Sequence, residues 1–229
     1  MQKRRTRLLA EARTLLARGG YEALSLRELA KAAGLTVPTI YNLIGNKDEV
    51  LLELGSDVLK EVEARVKSVY RDDPLSLATV TVLESTKLFA EDEDLYRSAF
   101  LAVEWLSQRP RHHAQAVEIL NWASKVFAEG FLACSSAGLL RGRIPIDVMG
   151  AHMMRCFRTN CREWAFGICD LAELSHLALV DLYTTLAADA DEELHLQITE
   201  KLEKLITNNK KGHKYGARNA SRDIEIINS

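Results

Sequence analysis

Apolar residues recur along this chain at helical spacing, each run closed by glycine, proline or a capping residue, and strand-like alternation is hard to find. An all-α fold follows. The first run, over 4–18, puts Leu8, Leu9, Ala12, Leu15 and Leu16 on one face and stops at Gly19-Gly20. A short second helix opens at Ser25, whose hydroxyl can accept from the Glu28 N–H while that carboxylate reaches back, and it ends near Ala33 before Gly34. Thr36 caps a third helix, Pro38 sits in its first turn where a missing N–H does no harm, and Gly45 ends it.

A further capping box, Asn46-Lys47-Asp48-Glu49, opens a long helix to about residue 71, with Leu51, Leu54, Val58, Val62 and Val66 on its inner face. At ~1.5 Å per residue it reaches roughly 37 Å, long enough to join two domains. Asp72-Asp73-Pro74 breaks it, and later helices read as about 75–90, 94–107, 111–135, 146–167, 171–187 and 191–207. The lysine- and arginine-bearing tail 208–229 has little to bury and is expected to be flexible.

The net charge of −2 conceals a division. Residues 1–47 hold nine basic and three acidic side chains, a net of +6, which leaves −8 on residues 48–229. Phosphate backbones attract lysine and arginine and repel acidic surface, so only the head of the chain is suited to a polyanion. No run approaches the length of a spanning helix, and Glu11 and Arg13 follow Leu8–Ala10 too soon for a signal-peptide core. A reducing cytoplasm is the expected compartment, and four cysteines are too few for a disulfide framework.

The second and third helices, joined by a glycine turn, form a helix-turn-helix pattern. Leu26, Leu29, Ala30 and Ala33 face inward on one, Ile40, Leu43 and Ile44 on the other, and Ala33-Gly34 is small where two helices must cross closely. Val37, Pro38, Thr39, Tyr41 and Asn42 remain outward, a short uncharged set suited to base edges in a major groove. The run from Gly20-Tyr21 through Ser25-Leu26-Arg27-Glu28-Leu29-Ala30, Gly34-Leu35-Thr36-Val37-Pro38-Thr39-Ile40-Tyr41-Asn42 and Gly45-Asn46-Lys47 resembles the DNA-binding domain of the TetR family of bacterial transcription regulators.

The resemblance covers about fifty residues; beyond them only length and helical layout agree. It implies phosphate contacts from Tyr41, Lys47 and Ser25, base contact from Arg27, and a recognition face of Val37, Pro38, Thr39 and Asn42 with Thr36 at its edge. Leu43 stands where the family commonly has histidine or an aromatic, and Ile44 where it has phenylalanine, so a phosphate contact at Leu43 is lost. Lys3, Arg4, Arg5 and Arg7 read either as a solvated terminus or as an arm for a minor groove.

The resemblance divides the chain into a DNA-binding domain over 1–47 and an effector-binding and dimerisation domain over 48–207, the dimer forming through 146–167 and 171–187. It implies a homodimeric repressor released from a palindromic operator by a small molecule. Candidate effector contacts are Trp105, Trp122, Phe127, Phe131, Met153, Phe157 and Trp164, each of which also reads as plain core. Arg155, Arg158 and Arg162 make a basic stripe, either a solvated or interfacial face or a seat for an anionic effector.

Two other functions fit parts of the sequence: a chromosome-organising DNA binder of the same fold, and a helical metalloenzyme using Glu173/His176 and Glu192/His195. Both glutamates follow an aspartate by three residues (Asp170, Asp189) and read as capping boxes in exposed first turns, poor places for a metal. His152 and Cys156 alone do not make a metal site, the cysteines read as inert thiols, and His112-His113 reads as a loop cap. With no phosphate loop, nucleophile elbow or zinc-protease motif, neither catalysis nor a cofactor is expected.

Overall fold

A computed structural model describes residues 2–69 and 73–209. The expected end of the long helix at 71 and the expected flexible tail beyond 209 lie outside the described residues. Those residues form ten helices: α1 (Gln2–Ala23), α2 (Leu26–Ala33), α3 (Val37–Leu43), α4 (Lys47–Val69), α5 (Pro74–Glu91), α6 (Glu93–Ser107), α7 (His113–Ser136), α8 (Ile146–Ala165), α9 (Leu171–Ala187) and α10 (Glu192–Asn209).

The caps legible in the sequence set most boundaries. Ser25 Oγ accepts from Glu28 N at 3.1 Å, Thr36 Oγ1 from Thr39 N at 3.3 Å, and Asn46 Oδ1 from Glu49 N at 3.1 Å. Glu49 closes the last box by accepting from Asn46 N at 2.6 Å. In α1 the double glycine leaves helical geometry, Gly20 at φ 63°, and one further turn follows before Leu24 enters the core. Gly34 owes its place to backbone conformation rather than to closeness of the helices: at φ 62° it is left-handed, and the Leu35 N–H reaches back to Ala30 O at 2.9 Å to close α2.

One apolar core runs from Leu8 on α1 to Ile198 on α10. Helix α1 packs against α6 as well as α2, so the helix-turn-helix unit sits on the body rather than hanging from α4 alone. Helix α7 is central, against α5 and α8, and two glycines allow it. A Cβ on Gly130 would fall 2.6 Å from Ala78 Cα of α5, and one on Gly150 of α8 would fall 2.7 Å from Ser124 O of α7.

The start of α10 corrects a sequence expectation. Asp191, not Asp189, caps it, accepting from Leu194 N at 2.8 Å. Asp189 is 1% exposed and its carboxylate accepts from Gly142 N and Arg143 N, each at 2.9 Å, pinning the α7–α8 connection beside the Leu140–Ala190 bridge.

Candidate nucleic-acid interface and effector cavity

Helix α3 buries Ile40 and half-buries Leu43, while Pro38, Tyr41 and Asn42 stand in solvent. Tyr41 is 54% exposed, a large side chain with no apolar cover. Thr36 and Thr39 join it, their hydroxyls 2.8 Å apart, and Arg27 is exposed on α2. Ser25 accepts through its oxygen in the cap, which leaves its hydroxyl hydrogen to donate outward. Val37 departs from the expected outward set, half-buried and packed against the core, and Lys47 stands on α4 rather than α3.

Lys47, the first residue of α4, is half-buried with Nζ 3.6 Å from the centroid of the Tyr21 ring. Burial pushes its pKa down against the pull of Glu22 and Asp48. Tyr21 donates to Asp48 Oδ1 at 3.3 Å and meets Trp105 edge-on at 5.1 Å. Asp48 in turn takes His112 Nε2 at 3.0 Å. His112 is therefore no loop cap: it sits at the N-cap position of α7 with no capping bond, 7% exposed, joining the α6–α7 turn to the head of α4.

The basic segment before Leu8 is helix rather than arm. Arg5 pairs with Glu53 on α4 at 2.7 Å, while Arg4 and Arg7 line an open cleft of ≈ 370 Å³ beside Gly34, Thr36 and Thr39.

A second, smaller space of ≈ 60 Å³ lies in the body between Val58, Leu59 and Val62 of α4, Thr81, Ser85 and Phe89 of α5, Ala123, Val126 and Phe127 of α7, and Met154 and Phe157 of α8. Its two hydroxyls donate to carbonyls of their own helix, Thr81 to Leu77 O at 2.9 Å and Ser85 to Thr81 O at 2.7 Å, so the wall is effectively apolar. Of the seven expected effector contacts, Phe127 and Phe157 line it.

The other five are held elsewhere. Trp105 is 40% exposed with Arg109 stacked 3.2 Å over its ring, and Trp122 donates to Glu63. Phe131 and Met153 are fully enclosed core, and Trp164 stacks on Phe89 at 5.3 Å while donating to Glu93 at 3.2 Å. Arg158 is taken by the buried carboxylate of Glu104, with Nη2 3.1 Å from Oε2, so the stripe reduces to exposed Arg155 and Arg162.

Residues 8–54 match the family described as bacterial regulatory proteins, tetR family. The HTH-type transcriptional repressor KstR of Rhodococcus jostii (strain RHA1) is 26% identical over 91 residues, 40% of this chain and 43% of that protein, so the match spans less than half of the relative. The structure of Thermus thermophilus FadR, a TetR family repressor in complex with lauroyl-CoA, superposes with TM-score 0.62 at 25% identity, over 78% of this chain and 92% of that one. A TetR-family transcriptional regulator from Rhodococcus sp. shares the fold at TM-score 0.67 and 14% identity, over 78% and 96%. Its fold is that of TetR-family regulators, and residues 8–54 carry that family's sequence pattern.

The TetR family is one of transcriptional regulators, not enzymes. In this chain Asp170 caps α9 through Glu173 N at 2.8 Å, while Glu192 and His195 are exposed in the first turn of α10. Among the described residues no helix is long and apolar enough to cross a membrane. The α5 wall of the cavity is not among the expected contacts because Thr81 and Ser85 look like surface positions in sequence; only their spacing with Leu77 and Phe89 on one face marks them. On α8 the lining methionine is Met154, next to the expected Met153, which is buried in the core.

Proposed function

We propose that this chain is a homodimeric, sequence-specific transcriptional repressor that α3 holds on a palindromic operator and that an elongated apolar effector releases. The observation that carries the reading is the outward face of α3, where exposed Tyr41 and Asn42 stand with the hydroxyls of Thr36 and Thr39 in the basic head of the chain. Arg27 and Ser25 extend it across α2, and Lys47 borders it. A dimer through 146–167 and 171–187 would present two such faces, with half-sites about one helical turn, ~34–36 Å, apart.

The apolar wall of the body cavity supports an effector bound through a hydrocarbon chain, and lauroyl-CoA in the FadR neighbour is of that class. Helix α4 carries both ends of the response: Lys47 and Asp48 at its head, Val58, Leu59 and Val62 in the cavity. A ligand that enlarges ≈ 60 Å³ must displace α4 from α5, α7 or α8, and the head of α4 moves with it.

Selecting bound duplexes from a random pool with the purified chain tests this directly. One palindromic sequence should emerge, Tyr41→Ala and Lys47→Ala should weaken binding to it at least tenfold, and lauroyl-CoA should release it. Equal affinity of both variants and the parent for the selected duplex would show that the assigned face is wrong.

A further inference from the structure

The cleft at the head of the α2–α3 turn has the chemistry of an anion site. Arg4 and Arg7 stand on the solvent side of α1 and reach Gly34, Thr36 and Thr39 across ≈ 370 Å³ of open space. The neighbouring arginines of α1 are committed: Arg5 to Glu53 at 2.7 Å and Arg13 to Glu61 at 3.2 Å. Among the described residues Arg4 and Arg7 have no carboxylate partner, and no acidic side chain lines the cleft.

The second guanidinium lies close over the turn: an ideal Cβ at residue 34 would be in ordinary contact with it, 3.4 Å from Arg7 Nη2. Across from it the hydroxyls of Thr36 and Thr39 share one hydrogen between them at 2.8 Å, and the other hydrogen of the pair remains to donate. Two planar forks and one hydroxyl donor, with nothing to repel negative charge, match the tetrahedral oxygens of a phosphate group.

We infer that this cleft holds a phosphodiester of the duplex backbone beside the bases read by α3, making Arg4 and Arg7 DNA contacts of α1. The inference rests on the DNA-binding reading. The cleft opens next to Thr39 on the recognition helix, so a phosphate in it belongs to the same duplex that meets Tyr41 and Asn42. An isolated phosphate ion shares the chemistry, and the experiment separates the two.

Full-length protein, Arg4→Gln, Arg7→Gln, the double variant and Arg7→Lys are titrated onto the selected duplex by fluorescence anisotropy between about 50 and 200 mM salt. Lys125→Gln, an exposed lysine on α7, controls for net charge. Each lost contact should flatten the slope of log affinity against log salt by ~0.9, about a threefold difference in salt sensitivity across that range. Arg7→Lys should keep the slope and lose affinity, since it keeps a charge but not a fork. Unchanged melting temperatures establish that the variants fold.

If the glutamine variants keep the wild-type slope while Tyr41→Ala still weakens binding, the cleft is not a DNA contact and the repressor reading stands. Millimolar inorganic phosphate that shifts the Arg4 and Arg7 side-chain resonances while the slopes stay unchanged would make it a small-ion site, and the inference falls. A pool that yields no preferred duplex removes the DNA-binding reading and this contact together.

Discussion

Replacing Arg158 with methionine tests the assignment of that arginine to Glu104 rather than to an effector. Glu104 is 7% exposed, and its carboxylate accepts from Arg158 Nε and, at 3.1 Å, from Nη2; Ser107 Oγ lies 3.5 Å from the same Nη2. Removing one partner of a fully buried pair costs about 3–5 kcal/mol. The Arg158 side chain is 34% exposed, so water reaches the site and about 2 kcal/mol is the better expectation. For a chain of this size that lowers Tm by about 4–8 °C at pH 7. Adding Glu104→Gln should recover most of the loss, because the neutral amide leaves no unpaired charge to desolvate. Thermal melts of wild type and the two variants make the measurement. A Tm within about 1 °C of wild type for the single variant, or a deficit that the second substitution leaves untouched, would refute the pairing argument.

Three further outcomes are expected. Gly130→Ala should lower stability by about 3 kcal/mol, since its Cβ meets the backbone of Ala78 at 2.6 Å, whereas Gly138→Ala, in open space at φ 77°, should lose only about 1–2 kcal/mol to left-handed strain; denaturant melts of both rank them. Burial pushes the Cys134 and Cys169 thiols up to about 11 and Cys161 well above the ordinary range, so at pH 8 a thiol reagent should leave all three unmodified until denaturant is added, as peptide mapping will read. Ser85→Ala removes a hydroxyl that serves only Thr81 O, so stability should fall by no more than about 1 kcal/mol; calorimetric titration with lauroyl-CoA should show unchanged affinity, and a tenfold loss would mean that this hydroxyl faces the ligand.

What was legible in the sequence was local. Caps are short-range hydrogen bonds between residues two or three apart, so Ser25, Thr36, Asn46 and Asp170 announced their helices, and all four accept the expected backbone N–H. The outward set on α3 was equally plain, because a seven-residue helix that must bury Ile40 has little choice about what it exposes. Tertiary partners were not legible. Asp189 has the spacing of a cap, and only the return of the α7–α8 connection reveals its buried role. Trp105 has the composition of a pocket residue, and its stacking under Arg109 depends on how α6 meets the turn after it. Gly130 and Gly150 carry no local signal at all, since their meaning lies in the helix that crosses them.

The same distinction bears on how a body cavity and a DNA face can communicate. Helix α4 by itself is a lever with one contact set at each end, and a lever transmits only if its head is held to something that moves with the reading unit. Here the head is held twice. Arg5 of α1 pairs with Glu53 near the head, and Arg13 pairs with Glu61 at the level of the cavity, so α4 is tied to α1, against which α2 is packed. On the other side Asp48 is bound to His112 at the α6–α7 turn and to Tyr21 just beyond the glycine break in α1. Displacing α4 at Val58 and Val62 must therefore either break the His112 contact or carry the α6–α7 turn along. Because α6 also packs on α1, the two routes meet on α1, at either side of its glycine break, and under the proposed function α1 together with α4 would link the cavity to the α2–α3 unit.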